Sequence, residues 1–174
     1  MTFIRKKIYS LLIAASIPVL TYADTGMNFK GNLVIPQCTI NGNVSVEVDF
    51  SDVEIQTLTA KNTAYHIQPL NIPVDCPYTL GSPKITLNSS SVADANKGSI
   101  QTSKYSEGLV VYVLKKDGST AIPLGKASDI SDSMSGTGKS KTLLLNAGLG
   151  RTGELEALTP GKFSASATLA VIYQ

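Results

Sequence analysis

Apolar and polar residues alternate most regularly in the last stretch of the chain. Phe163, Ala165, Ala167, Leu169, Val171 and Tyr173 share one face, and Ser164, Ser166, Thr168 and Gln174 share the other. Ala170 and Ile172 are the apolar intruders on that second face. A period of two over this length predicts a half-buried β-strand, Phe163–Gln174. Such a strand needs neighbours on both flanks, because a row of unpaired N–H and C=O groups invites another chain. With no strand after it, the second flank is expected to be covered from earlier in the chain or by another molecule.

The same alternation marks other segments. Met27, Phe29, Gly31 and Leu33 alternate with Asn28, Lys30 and Asn32. Gly31 interrupts the apolar side, which in a strand often marks close approach to a bulky neighbour. This segment reads either as the first strand of the domain's own sheet or as an N-terminal arm that orders only when tied down. After an Asn41-Gly42 turn signal, Val44, Val46, Val48 and Phe50 alternate with Ser45, Glu47, Asp49 and Ser51, predicting an internal strand. Leu70, Ile72, Val74 and Cys76 predict another, with Pro73 placing it at an edge or a bulge.

Further on, Pro83–Asn88 turns Ile85 and Leu87 inward, and Leu109–Leu114 is a continuous apolar run suited to a central strand, followed by an Asp117-Gly118 turn. Ile122-Pro123-Leu124 extends the sheet weakly, and Lys141–Ala147 is strand-like. Residues 52–64, 89–106, 129–141 and 148–159 read as polar or turn-rich connections, with one short strand around Ile100. No segment sustains a helical period. Short strands separated by turn signals predict a single all-β sandwich.

Composition changes this picture at the start of the chain. Arg5, Lys6 and Lys7 precede an apolar run from Ile8 to Leu20 and then Thr21-Tyr22-Ala23, the pattern of a secretory signal peptide cleaved after Ala23. The apolar run is shorter than the roughly 20 residues a membrane helix needs. Removing residues 1–23 takes away three basic residues, leaving 15 − 3 = 12 Lys and Arg against 13 Asp and Glu, so the basic character belongs to the leader. No basic patch then argues for nucleic acid. Cys38 and Cys76 both lie in the exported part, where a single pair is most simply a disulfide.

Several motifs tempt and fail. Gly136-Thr137-Gly138-Lys139-Ser140 resembles the end of a phosphate-binding loop, but Ser133 stands where the first glycine belongs and a leucine-rich strand follows. Gly148, Gly150 and Gly153 fit a dinucleotide fingerprint, yet Pro160 cuts short any helix beyond them. His66 is the only histidine and stands without a nucleophile-elbow motif, so the chain does not read as an enzyme, and neither cofactor nor metal is expected. With no tryptophan, Tyr78 and Tyr105 are the remaining platforms for a sugar.

Phe29-Lys30-Gly31-Asn32, Pro36-Gln37-Cys38-Thr39-Ile40, Asp75-Cys76-Pro77, Gly161 and the closing Ala170-Val171-Ile172-Tyr173-Gln174 together resemble the pilin subunits of the bacterial chaperone–usher pathway, over essentially the whole exported chain. The resemblance implies an incomplete immunoglobulin-like sandwich that lacks its final strand, occupying residues 36–174 behind an N-terminal donor-strand extension at 24–35. It implies that a periplasmic chaperone first fills a groove beside Phe163, Ala165, Ala167, Leu169, Val171, Tyr173 and Gln174. At an outer-membrane usher the arm of an adjacent pilin subunit then replaces the chaperone, a mode of strand addition known for pilins. Met27, Phe29, Gly31 and Leu33 would be the donor residues toward a neighbour.

The chain would thus pass through the periplasm to a cell-surface fimbrium. The start and the Ile35–Asn41 run look most like minor tip-adaptor subunits of P-type pili, which would link an adhesin to the fibre. A rod or other minor pilin, and a self-complemented secreted glycan-binding sandwich, are the alternatives.

Overall fold

The computed structural model describes residues 25–174; the leader segment, residues 1–23, lies outside the described residues. The chain divides into two units, with the boundary between Leu33 and Val34. In the first, residues 25–33 carry neither helix nor strand.

The second unit is built from β-strands and single turns of 3-10 helix. Strand β1 (Thr39–Ile40) pairs with β2 (Tyr65–Asp75), and β2 with β9 (Ser140–Arg151). Beyond β9 lie β6 (Leu109–Lys115), β5 (Ser99–Gln101) and β4 (Val92–Asp94), while β8 (Met134–Ser135) adds to the start of β9. The second sheet has the order β10 (Thr168–Tyr173), β3 (Pro83–Asn88), β7 (Ala127–Asp129). Every ladder pair is antiparallel.

Alternation decides which side chains meet between the sheets. Ile72 and Val74 from β2, Leu143 and Leu145 from β9, Ile85 and Leu87 from β3, and Val171 and Tyr173 from β10 are buried together. Each removes apolar surface from water at about 1.5–3 kcal/mol per side chain. Strand β6 is apolar without alternation because both its faces are covered. Leu109 and Val111 face a cluster with Leu149 and Leu158, while Val110, Tyr112 and Leu114 pack against Ala64, Ala93 and Ala121.

The disulfide between Cys38 and Cys76 ties the first strand of the domain to the end of β2. Closing this 38-residue separation contributes about 3–4 kcal/mol by loop entropy.

Three expectations are corrected. The last strand spans Thr168–Tyr173 and not Phe163–Gln174, because Phe163–Ala167 has no ladder partner. Val44–Phe50 joins no ladder, although Val46, Val48 and Phe50 are half-buried. Strand β9 runs on through the glycines to Arg151 instead of ending at Ala147. There Gly148 and Gly150 replace side chains that have no room: a Cβ on Gly148 would lie 2.8 Å from Ala64 and Ile67, and one on Gly150 would meet the Thr63 carbonyl and lie 2.6 Å from the Tyr112 ring. The dinucleotide-like spacing is therefore a packing pattern. Of the two readings of Pro73, an edge or a bulge, the edge holds: Pro73 sits in an unbroken register opposite Thr142, and the irregularity in β2 falls between Tyr65 and Gln68, where His66 has φ +50°. Pro73 lies, as read, near an edge: β2 has β9 along one flank and only the two residues of β1 on the other.

After β6, the Asp117 carboxylate accepts the Thr120 hydroxyl and the Thr120 and Ser119 N–H groups, at 2.7 and 2.9 Å for the amides. These bonds, the Thr120 hydroxyl foremost, lower its pKa to about 2. Because the folded value lies below the unfolded one, the turn is stabilised above the ordinary carboxylate range and loses that support as pH falls toward 2. Carboxyl NMR should show Asp117 titrating near that value. Gly150→Ala should cost about 1–3 kcal/mol in chemical denaturation, because both the Thr63 backbone and the Tyr112 ring must shift.

Candidate functional site

Two stretches outside the ladders, Val44–Phe50 and Phe163–Ala167, line an elongated cleft of about 840 Å³. Its floor is apolar and comes from both sheets, with Leu70, Ile72, Leu87, Ile100, Val111, Val113 and Leu145. The cleft continues past Phe50 and Phe163 into a second hollow of about 750 Å³ over Leu58, Leu109, Leu149 and Leu158. The rings of Phe50 and Phe163, with centroids 6.1 Å apart, stand where the two meet.

The direction of the main-chain groups along the last segment follows from its bonds. Gln174 exchanges both its N–H and its C=O with Ser82, at 3.1 and 2.8 Å. The Ser164 carbonyl accepts from the Ser103 N–H at 2.8 Å, and the Ser166 carbonyl from the Ser89 hydroxyl at 2.9 Å. Even-numbered residues therefore turn their main chain toward β3 and its flank. Val171 turns the other way, its carbonyl accepting the Cys38 N–H at 2.9 Å.

Alternation then directs the N–H and C=O groups of Phe163, Ala165, Ala167 and Leu169 to the side of Cys38, along the cleft. The same residues lie on the face that Val171 and Tyr173 bury in the core. One edge thus offers a main-chain ladder and an apolar, small-residue surface together.

The expected site residues fall into two groups. Phe163, Ala165, Ala167 and Leu169 line the cleft. Val171, Tyr173 and Gln174 lie beyond its closed end, where Cys38 covers Val171 and Ser82 holds Gln174. The second flank of β10 is thus covered at Val171 by the chain itself and open before it. Ala170 and Ile172, apolar on the outer face, are both half-buried there. In the first unit Met27, Phe29 and Leu33 are 74%, 83% and 105% exposed, and a Cβ on Gly31 would meet nothing within 4 Å. His66 pairs its ring nitrogen with the Thr57 hydroxyl, and among the described residues no group of His, Cys, Asp and Glu could hold a metal ion.

The rim also depends on groups whose place at the cleft the alternation did not show. Val46, Val48 and Phe50 form the facing wall; their alternation was legible, their lack of a ladder partner was not. Lys104 donates to the Glu107 carboxylate at 2.9 and 3.1 Å and to the Thr159 carbonyl and hydroxyl at 3.0 and 2.8 Å. Glu107 accepts the Thr159 N–H at 2.8 Å. This network pins the approach to Phe163, and the Thr159 amide, followed by Lys104, holds the Glu107 carboxyl below its ordinary range.

Residues 27–174 match the family described as fimbrial protein. The chain is 32% identical to the fimbrial protein PrsE of Escherichia coli over 156 residues, 87% of each chain. It is 30% identical to the fimbrial adapter PapF of Escherichia coli over 125 residues, 72% of this chain and 71% of that one. Its fold is similar to the solved structure of the P pilus adaptor subunit PapF, with TM-score 0.53 and 22% identity over 82% of this chain and all of that one. It is similar also to the crystal structure of the P pilus rod subunit PapA, with TM-score 0.54 and 18% identity over 86% of this chain and all of that one.

Replacing both Cys38 and Cys76 by Ala should lower stability by about 3–4 kcal/mol in urea denaturation and speed amide exchange at Val171, which lies beside the lost tether. Glu107→Ala should free the Thr159 amide without unfolding the sheets. In the unaltered chain the same amide should loosen as pH falls through the lowered Glu107 value, because support from a depressed carboxyl is present only above it.

Proposed function

The chain belongs to the fimbrial protein family, and from that premise we propose that it assembles by lending a strand to one neighbour while its own cleft receives a strand from another. It is a structural subunit of a bacterial surface fimbrium and not an enzyme, with an immunoglobulin-like all-β fold. The single observation that carries the assembly reading is the edge at Phe163, Ala165, Ala167 and Leu169, where main-chain groups and an apolar face point along the same cleft.

An added strand would pair with that edge and lay alternate side chains on the cleft floor. Met27, Phe29, Gly31 and Leu33 fit the requirement. They repeat the same alternation over the same six-residue interval as Phe163–Leu169, about 20 Å of extended chain. Their large side chains are exposed on the donor, so docking them would remove much apolar surface from water. Residues 24–35 are thus the donor-strand extension and residues 36–174 the receiving domain.

Before assembly the cleft needs a temporary strand, which is the role of a periplasmic chaperone pairing along Phe163–Leu169; exchange for the arm of the next subunit takes place at the outer-membrane usher. A subunit with both an arm and a cleft links two others. The similarity to an adapter of P-type pili supports a place at the fibre tip, between adhesin and shaft.

Produced in the periplasm without a chaperone, the chain should fail to accumulate as a soluble monomer, and a peptide of residues 24–35 supplied in trans should rescue it. Three large side chains at about 1.5–3 kcal/mol each are a substantial share of a marginal stability. Gly31→Leu should block entry of the arm into a neighbour and leave the stability of its own domain unchanged. Normal incorporation of that variant into fibres would contradict the proposed register.

A further inference from the structure

The sandwich has other edges besides the cleft, and each faces the hazard of an exposed ladder. Strands β4 and β7 close two of them with three residues each, and β4 is interrupted by a register shift between Val92 and Asp94. Strand β2 is different: it is eleven residues long, and β1 covers only Val74 and Asp75.

The orientation of its main chain is fixed at one end. Cys76 donates its N–H to the Lys139 carbonyl, on the β9 side. Alternation then turns the main chain of Ile72 and Val74 toward β9 and that of Pro69, Asn71, Pro73 and Asp75 outward. Two of these outward positions are prolines with no N–H to give. The β1 ladder stops after Ile40, at the point where its next partner would be Pro73.

We infer that Pro69 and Pro73 close the outer edge of β2 to strand addition, so that the domain can gain a strand only at its cleft. Between them Asn71 offers the sole N–H, too few for a ladder. Pro73 also releases the chain after Ile40, allowing Val44–Phe50 to form the cleft wall instead of continuing along β2. Neither proline breaks the pairing of β2 with β9, whose register is continuous from Gln68 to Asp75. The inference does not depend on what occupies the cleft.

The test compares the unaltered chain with Pro69→Thr and with Pro69→Thr/Pro73→Thr, each allowed to assemble and then followed by hydrogen exchange and light scattering. In unaltered assemblies the Asn71 amide should exchange as readily as in the isolated chain. In the double variant it should slow about tenfold, the factor corresponding to a hydrogen bond of about 1.4 kcal/mol, and fibres should associate laterally. Pro69→Thr alone, which leaves the β1 terminus intact, should shift both readouts in the same direction. Protection of Asn71 in the unaltered assembly, or identical exchange and scattering in all three proteins, would overturn the inference. Amides of Ala165 and Ala167, read in the same spectra, report separately on the cleft.

Discussion

The arrangement depends on backbone hydrogen bonding at one edge. A β-strand satisfies half its main-chain groups on each side, and a buried unpaired group costs about 1–3 kcal/mol. Beside Phe163–Leu169 that requirement coincides with an apolar floor, so solvent can hydrate the amides only while leaving the floor wet. A strand with alternating large side chains resolves both problems at once. Main-chain pairing would supply affinity with little sequence preference, while the side chains set register. This is why a recognition site can consist of ordinary residues such as Ala165 and Ala167.

The rest of the fold keeps that edge open and the others shut. Cys38 does two things: its disulfide holds the domain start to Cys76, and its N–H closes the cleft at Val171. From there the chain spends only Thr39 and Ile40 on β2 before crossing to the cleft wall. At the opposite end the Lys104–Glu107–Thr159 network fixes the approach to Phe163. The cleft is thus bounded by a covalent link at one end and an ionic one at the other.

Much of this was legible in the sequence because period-two burial leaves a direct trace. Leu169, Val171 and Tyr173 of the last strand, the Ile85 and Leu87 pair, the run Leu109–Leu114 and the short strand around Ile100 occupy the expected places, whereas Phe163–Ala167, read as the start of that last strand, joins no ladder. Alternation nevertheless reports which face is buried and says nothing of whether a ladder partner exists. Val44–Phe50 therefore looked like an internal strand although its burial comes from the cleft wall. Gly148 and Gly150 looked like a turn because their reason is spatial: Thr63, Ala64 and the Tyr112 ring occupy the places of their side chains. The rim network was hidden for a similar reason, since Lys104 and Thr159 are far apart in sequence.

The central claim is that the strand beside Phe163–Leu169 belongs to another molecule. Crosslinking mass spectrometry on fibres assembled from an equal mixture of isotopically heavy and light subunits tests it most directly. Crosslinks between the region of Met27–Leu33 and the cleft walls should join heavy to light chains as often as like to like. If those crosslinks formed only within single chains, in a stable solitary subunit, the account of assembly would be contradicted.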